Sequence, residues 1–413
     1  MSTEYRHNHY VPVWYQKRFI PLNQQNQELF YLDVNPGTYE DPRGITHLKR
    51  AVNLLGPKHC FAENDLYTTR FENVESVEIE KRFFGSIDRD GRKAVDYYAN
   101  FAHPWNGGDF FKELLMYMST QKLRTPKGLN WLSTQAETTD RNIILNQMLK
   151  LRQLYCATWA DCVWLVADAS ESETKFIISD HPITVYNRRC GPRSSWCRGN
   201  NDPDIWFNGT HTIFPLSLDK VLILTNLSWV RNPYQSEVSF RPNPYPLRST
   251  IFKITDIQTL RHLSEQEVRE INFIIKKRTL RYVAAAKEEW LYPERYVTKS
   301  NWYTYGHGYL LMPDPRPISL GGEILWGNRD GTAGAMDEYG RYPWQKDYNK
   351  EGTSLEESAT LERFKGEFAR LFGPYRRGRS FNFMTLDNEK DDNEYHQYHL
   401  SLEQENKKRK GKL

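Results

Sequence analysis

Apolar positions in the first third of the chain recur mainly at helical spacing. Trp14, Tyr15 and Phe19 follow Pro12 at roughly one-turn intervals, which predicts a short opening helix fastened to a core. Residues 28–34 read as a strand closed by the turn Asn35-Pro36-Gly37, and residues 36–60, interrupted by Pro42, Gly44, Gly56 and Pro57, read as irregular. Helical spacing returns at 73–101, where Val74, Val77, Ile79, Phe83, Phe84 and Ile87 interleave with Glu75, Glu78 and Glu80. Two further helices are predicted at 109–124, stopped by Thr125-Pro126, and at 140–160.

From residue 162 the pattern becomes that of strands. Residues 162–167 and 175–179 are nearly continuous apolar runs around an acidic turn, which predicts a hairpin with at least one buried strand, ended by Asp180-His181-Pro182. A loop rich in Gly, Pro, Arg and Trp spans 188–209, and Thr210 to Ser217 leads into a strand at 220–226. A long helix is predicted at 264–290, opened by the capping box of Ser264 and Glu267. Beyond 291 periodicity is weak: one helix at 354–372 is closed by Gly373-Pro374, and residues 407–412 read as a solvated basic tail. Together these elements predict a mixed α+β fold. A central, mostly antiparallel sheet made from 28–34, 162–167, 175–179 and 220–226 would be surrounded by helices in a unit spanning 1–290. Residues 291–413 would be an irregular, aromatic-rich extension.

Composition narrows the setting. The 413 residues are 39% hydrophobic and 26% charged, values of a folded protein, and 14% aromatic, which points to rings in the core and in a binding surface. A net charge of only +4 excludes a uniformly basic nucleic-acid coat and leaves room for local patches. Five cysteines, an odd number without a CxxC pair, behind a polar, charged opening, read as reduced thiols of a cytoplasmic protein. No apolar run approaches the ~20 residues that cross a bilayer, so no membrane partner is expected.

The chemistry-bearing residues stand at element ends. His7 and His9 are two apart and leave one face of an extended chain. Gln121 and Arg124 close a helix, while Asp180 and His181 close a strand. Should these ends converge, Arg124 suits a phosphate or carboxylate, and His9 or His181 suits general acid–base work. His7 and His9 with Asp180 suit a divalent metal that activates water. The plainer alternative is that Gln121 and Arg124 tie off helix carbonyls, Asp180 caps a turn, and His211 is a half-buried sheet residue. No Gly-x-Ser-x-Gly elbow, P-loop or His-Glu-x-x-His sequence occurs. Basic and aromatic residues interleave twice: Arg188, Arg189, Arg193, Trp196, Arg198 and Trp206 in one loop, and Tyr375, Arg376, Arg377, Arg379 and Phe381 in the extension. Bases can stack on such rings while phosphates meet arginine.

Several short motifs follow one another in a fixed order. They are His9-Tyr10-Val11-Pro12 with Phe19, the Glu-rich segment around Glu78 and Glu80, and Gln121 with Arg124, Thr125 and Pro126. Ser179, Asp180 and Pro182 follow, then Pro215-Leu216-Ser217, then Asn272. In this order they resemble a bacterial domain-of-unknown-function family whose members begin with a His-Tyr-Val-Pro-Gln motif, over roughly residues 5–290. Val13 stands where that motif has Gln. The resemblance implies a role for His9 and Arg124 and no established activity.

The reading reached is a nucleic-acid-directed phosphodiester hydrolase of the bacterial defence or toxin kind. His9, Gln121, Arg124, Asp180 and His181 would be catalytic, Arg188, Arg189, Arg193, Arg376, Arg377 and Arg379 would hold nucleic acid, and a divalent metal would sit on His7, His9 and Asp180. The alternative is a non-catalytic binding or sensor module for an anionic ligand, a protein partner or a second copy. A structural subunit is the third option. Two placements are expected: His9, Gln121, Arg124 and Asp180 around one pocket, and Arg376, Arg377 and Arg379 at its mouth or on an exposed anion-binding face.

Overall fold

Strands that are apolar on both faces have to be covered on both, and this demand organises the structure. In the computed structural model Thr210–Pro215 is buried throughout, and Lys220–Asn226 and Cys162–Asp168 are buried apart from their ends. They lie at the heart of a five-stranded sheet ordered Thr184–Asn187, Thr210–Pro215, Lys220–Asn226, Cys162–Asp168, Gln258–His262. The first three pairings are antiparallel and the last is parallel. A second, wholly antiparallel sheet has the order Ile178–Ser179, Tyr282–Ala285, Leu29–Asp33, Val52–Leu55. The residues described are 7–67, 69–71, 74–76, 83–101, 107–197, 202–234, 237–240, 256–297, 302–303, 305, 309–319, 323–337, 341–346, 348, 351–380 and 389–410.

The helices are α1 (Val13–Gln16), α2 (Gly85–Ala99), α3 (Gly107–Arg124), α4 (Pro126–Ala136), α5 (Arg141–Ala160), α6 (Leu227–Arg231), α7 (Glu265–Arg278), α8 (Glu351–Phe372) and α9 (Glu389–Lys410). The fold is thus mixed α+β. No helix among the described residues is long and apolar enough to cross a membrane. One apolar cluster runs from Tyr10 to Leu311, with Trp159 and Trp164 among its largest members. Trp302 and Tyr305 belong to it, so these rings of the C-terminal extension pack across the earlier chain. Trp302 donates its indole N–H to the Asn187 carbonyl at 2.7 Å and accepts the Tyr186 hydroxyl on its own carbonyl. Trp344, stacked on Tyr342, stays 77% exposed.

Several local expectations need correction. The runs expected to share one sheet divide between two, and Cys162–Asp168 forms no hairpin with Ile178–Ser179. The reason lies in the acidic turn between them. Glu265, in the first turn of α7, accepts the Ser172 hydroxyl and both the hydroxyl and the N–H of Thr174, and so draws the connection away from the first strand. Next, Thr125-Pro126 not only stops α3 at Arg124 but also starts a further helix that was not expected. Thr125 is the N-cap of α4, accepting the Gly128 N–H, and Pro126 is its first residue. The helix expected to reach residue 290 ends at Arg278, and Tyr282–Ala285 becomes an inner strand of the second sheet. Finally, the segment at 73 begins as the strand Val74–Ser76 paired to Thr69–Phe71, with α2 starting only at Gly85, and the basic C-terminal run continues α9 to Lys410. Arg198, Glu78, Glu80 and Phe381 lie outside the described residues.

The end of α7 is set by Asp180. Its carboxylate, buried to 3% exposure, accepts four donors from one turn: the Thr279 hydroxyl at 2.5 Å and the backbone N–H groups of Leu280, Arg281 and Tyr282 at 3.0, 2.6 and 2.8 Å. Burial raises the carboxyl's proton affinity and the four donors oppose it. Asp180→Asn turns an amide NH2 towards two of those N–H groups. Each buried donor left unsatisfied costs about 1–3 kcal/mol, so a loss of ~2–4 kcal/mol is expected in urea unfolding. A loss under ~1 kcal/mol would mean that the turn does not depend on the carboxylate.

Candidate functional site

The residues singled out at element ends separate into an internal lock and a pocket. Gln121 donates to the Tyr10 carbonyl at 2.7 Å, which fastens α3 to the N-terminal segment. Its amide oxygen accepts Arg124 at 2.8 and 2.6 Å, and Arg124 in turn forks onto Asp88 of α2 at 3.1 and 2.7 Å. Arg124 is 1% exposed, beneath the Phe84 and Tyr117 rings. Burial raises the Tyr10 pKa, and the nearby Tyr31 and then Asp180 add to the effect. Gln121 and Asp180 thus both lie near Tyr10, with Arg124 tied to Gln121, and each of the three is engaged internally.

His9 faces another way. Its Nε2 donates to the Lys58 carbonyl at 3.0 Å, and its ring meets that of His7 edge-on at 5.1 Å, so the two imidazoles do share a face of the Asn8 strand. Burial lowers the His9 pKa, with His7 and His59 adding to the effect and the Lys58 carbonyl opposing it. His7 donates to Asn64 at 3.1 Å. No group of three or more His, Cys, Asp or Glu side chains placed to hold a metal ion occurs among the described residues. The carboxylate expected in that set, Asp180, is the one filled by the 279–282 turn.

His181, next to Asp180, points into a different place: a cleft of about 310 Å³ between α4, α5 and residues 196–197 and 202–207. Its floor is polar. Lys127 donates to Asp202 at 2.6 Å and Lys122 donates to the other oxygen of the same carboxylate at 3.2 Å. Lys122 also donates to His181 Nε2 at 3.1 Å and reaches the Ile183 carbonyl at 3.4 Å. Lys127 reaches the Arg278 carbonyl at 2.5 Å, at the point where α7 is made to stop. The corner between α3 and α4 brings the amines together, and only glycine fits its third position. A Cβ on Gly128 would lie 2.4 Å from the Lys122 carbonyl oxygen. The walls are aromatic: Trp131 from α4, Tyr155 from α5, and Trp196, Trp206 and Phe207 from the loop.

Partners assign the protons. An ammonium can only donate, so His181 Nε2 is the acceptor, and the Nδ1–H donates to the Thr125 hydroxyl oxygen at 2.7 Å. Burial, and then the charge of Lys122, push the His181 pKa down to about 3, so the ring is neutral. Its 3.3 Å approach to Asp202 is therefore a contact between two acceptors both bridged by Lys122. Burial alone would raise the Asp202 carboxyl, but Lys127 and Lys122 hold it well below the usual carboxylate range. Burial lowers both ammonium groups, and Asp202 counteracts it only in part. Buried amines with displaced pKa values in a cleft are candidates for a functional role, as structural ion-pair networks shift such groups too.

The arginines expected to hold nucleic acid are largely committed elsewhere. Arg188 donates to the Pro233 carbonyl at 2.8 Å and lies over the Trp229 and Tyr303 rings, and Arg189 also lies over Tyr303. Arg193 is exposed. Arg376 and Arg379 pair with Asp392 of α9, and Arg377 pairs with Glu267 of α7. Arg376 is 7% exposed. The expected exposed anion-binding face at 376–379 is thus a set of internal ion pairs that bind the extension to the α7 region. Of the residues predicted to be catalytic, metal-binding or phosphate-binding only His181 lines the cleft, together with Trp196 and Trp206 of the loop expected to stack bases. Lys122, Lys127 and Asp202 were missed, although a Thr-Pro helix start placed between two lysines was a readable sign of the corner.

The family described as Protein of unknown function (DUF4238) matches residues 7–289, well over half of the chain, and the chain belongs to it. No curated protein and no solved structure matches.

His211, buried against Thr225 at 2.9 Å, is also pushed down to about 3 by burial and by the nearby Arg188 and Arg261 charges. A histidine whose folded pKa lies below its unfolded value of about 6.5 takes up protons on unfolding. The stability it contributes is full above about 6.5 and is lost as pH falls towards about 3. His181 and His211 together are expected to lower the unfolding free energy by ~4 kcal/mol between pH 7.5 and pH 5, about half of it absent in His211→Gln. Urea titrations at the two pH values measure this, and a pH-independent midpoint contradicts the burial of both rings.

Proposed function

We propose, for a chain of a family without an assigned activity, that it is a binding or sensor module taking a small anionic ligand on Lys122 and Lys127. One observation carries the reading: two buried amines share a single carboxylate. Asp202 is the carboxylate both amines contact; the more distant Asp204 acts on Lys122 less than the opposing Arg278 charge does, so the floor is short of a counter-ion in a place where an unpaired charge costs ~3–5 kcal/mol. An incoming phosphate, sulfate or carboxylate group supplies it. The start of α4 adds its positive dipole end to the same floor. A cleft of about 310 Å³ stands at the small end of ligand pockets, which run from about 300 to 1,000 Å³.

Phosphodiester cleavage of nucleic acid, as in a bacterial defence or toxin hydrolase, is the competing reading. The engagement of its candidate groups supports binding over cleavage: both nitrogens of His181 are occupied, both oxygens of Asp180 are filled, and the Arg124 fork is taken by Asp88. We take His9-Tyr10-Val11-Pro12 as the family's opening motif, with the Tyr10 carbonyl rather than the His9 ring as the part the fold uses. Titration calorimetry with inorganic phosphate is expected to show saturable binding to the native protein. The affinity should fall ~tenfold, about 1.4 kcal/mol, in Lys127→Met and in Lys122→Gln, with an unaltered near-ultraviolet dichroism spectrum as the control for folding. Absence of phosphate binding together with metal-dependent DNA or RNA cleavage that is lost in His9→Ala would establish the competing reading.

A further inference from the structure

The cleft holds more than its cationic floor. Tyr155 is nearly buried, at 5% exposure, and touches a half-buried indole on either side. Its ring centroid is 6.4 Å from that of Trp131 and 6.0 Å from that of Trp206. The Trp206 indole N–H is fixed by the Thr158 hydroxyl at 2.7 Å, which sets the plane of a ring that would otherwise turn. Three rings from α4, α5 and the loop therefore make one continuous wall, and the same cavity contains Lys122 and Lys127. Rings packed only for stability would be covered; Trp131 and Trp206 instead keep part of their surface in the cleft. Partly open indoles beside a pair of amines are complementary to a ligand with a flat π face at one end and negative charge at the other.

Resting on the anion-binding reading above, we infer that the ligand is a single planar aromatic ring system carrying one anionic group. The ring lies along the Trp131–Tyr155–Trp206 wall, and the anion meets Lys127, which has a third N–H beyond its bonds to Asp202 and the Arg278 carbonyl, while Lys122, its donors engaged, contributes charge from behind. A volume of about 310 Å³ admits one such unit and not a polymer segment with successive bases. Gln135 and Gln147 line the same cleft, and neither amide has a hydrogen-bond partner among the described residues. Both can read heteroatoms on a ring edge, donating through nitrogen and accepting through oxygen. Two sources share this chemistry: a mononucleotide, in which a base is linked to phosphate through a sugar, and an aromatic carboxylate.

The test uses the full-length protein, with tryptophan fluorescence and calorimetry as readouts. The probes are AMP, CMP, adenosine, inorganic phosphate, indole-3-acetate and acetate. The expected result is that AMP or CMP binds at least ~tenfold more tightly than both adenosine and inorganic phosphate, or that indole-3-acetate exceeds acetate by the same factor. Whichever pair shows the gain identifies the source, and the bound ring quenches the indole emission. In Trp206→Phe the ring-bearing probe weakens several-fold while inorganic phosphate is unaffected. In Lys127→Met the mononucleotide falls to the level of adenosine. Trp131→Phe, from a different element, repeats the ring test in case the loop variant is unstable. If phosphate binds and no ring-bearing probe exceeds it, the inference is overturned while the anion-binding reading stands. If phosphate and acetate also fail to bind, both fall.

Discussion

The corner at Asp180 is the contact on which the remaining architecture depends. One carboxylate gathers four donors from the 279–282 turn, and three consequences follow from it. It ends α7 at Arg278, so that the Arg278 carbonyl is presented to Lys127. It sets Tyr282–Ala285 against Ile178–Ser179, joining the C-terminal part of the matched region to the second sheet. It also turns the next residue, His181, away from the lock and into the cleft. Neighbouring residues thus serve opposite ends, Asp180 held by its own backbone and His181 holding the floor of a pocket.

The sequence was most legible where burial acts on contiguous residues. The apolar run at 220–226 coincides with its strand, and the Ser264–Glu267 capping box opens α7 where expected, because both depend on local spacing alone. It was least legible where tertiary pairing overrides a local preference. The Val283-Ala284-Ala285 run has helical composition, yet it lies between two strands that need an inner partner. Thr125-Pro126 carries two meanings at once, since the residue that stops one helix is a good cap for the next. Of the candidate site, His181 was visible as a polar residue at a strand end. Lys122, Lys127 and Asp202 were not, because a lysine on a helix and an aspartate in a loop have ordinary solvated roles until the fold buries them together.

Buried charge explains why lock and pocket are to be read differently. In the lock, Arg124 has Asp88 and the Gln121 oxygen, and Asp180 has four donors, so each polar group is matched. Such pairs add little net stability over apolar packing, but breaking one of them is costly. On the pocket floor the match is incomplete: both amines contact one carboxylate, Asp202, and the more distant Asp204 is outweighed at Lys122 by Arg278, beside a histidine that burial keeps neutral. The amines also have structural partners, Lys127 at the Arg278 carbonyl and Lys122 at His181 and the Ile183 carbonyl, and on the proposed reading an external anion completes the charge balance of the set.

The distribution of the other cations sets the scale of that anion. Arg376, Arg377 and Arg379, which in sequence look like a phosphate-binding cluster, spend their charge on Asp392 and Glu267. A polymer such as DNA gains its affinity by meeting many cations in a row, each releasing a counter-ion and adding close to one unit to the salt slope. Those three guanidinium groups would have to leave internal partners before contributing to such a slope. The cleft, by contrast, offers two amines within reach of a single carboxylate. On the proposed reading, association there involves about one or two charges, so its salt dependence is shallow, and affinity has to come from the fit of the remaining part of the ligand against the walls. The physics of the floor therefore shifts the weight of recognition to the aromatic wall above it.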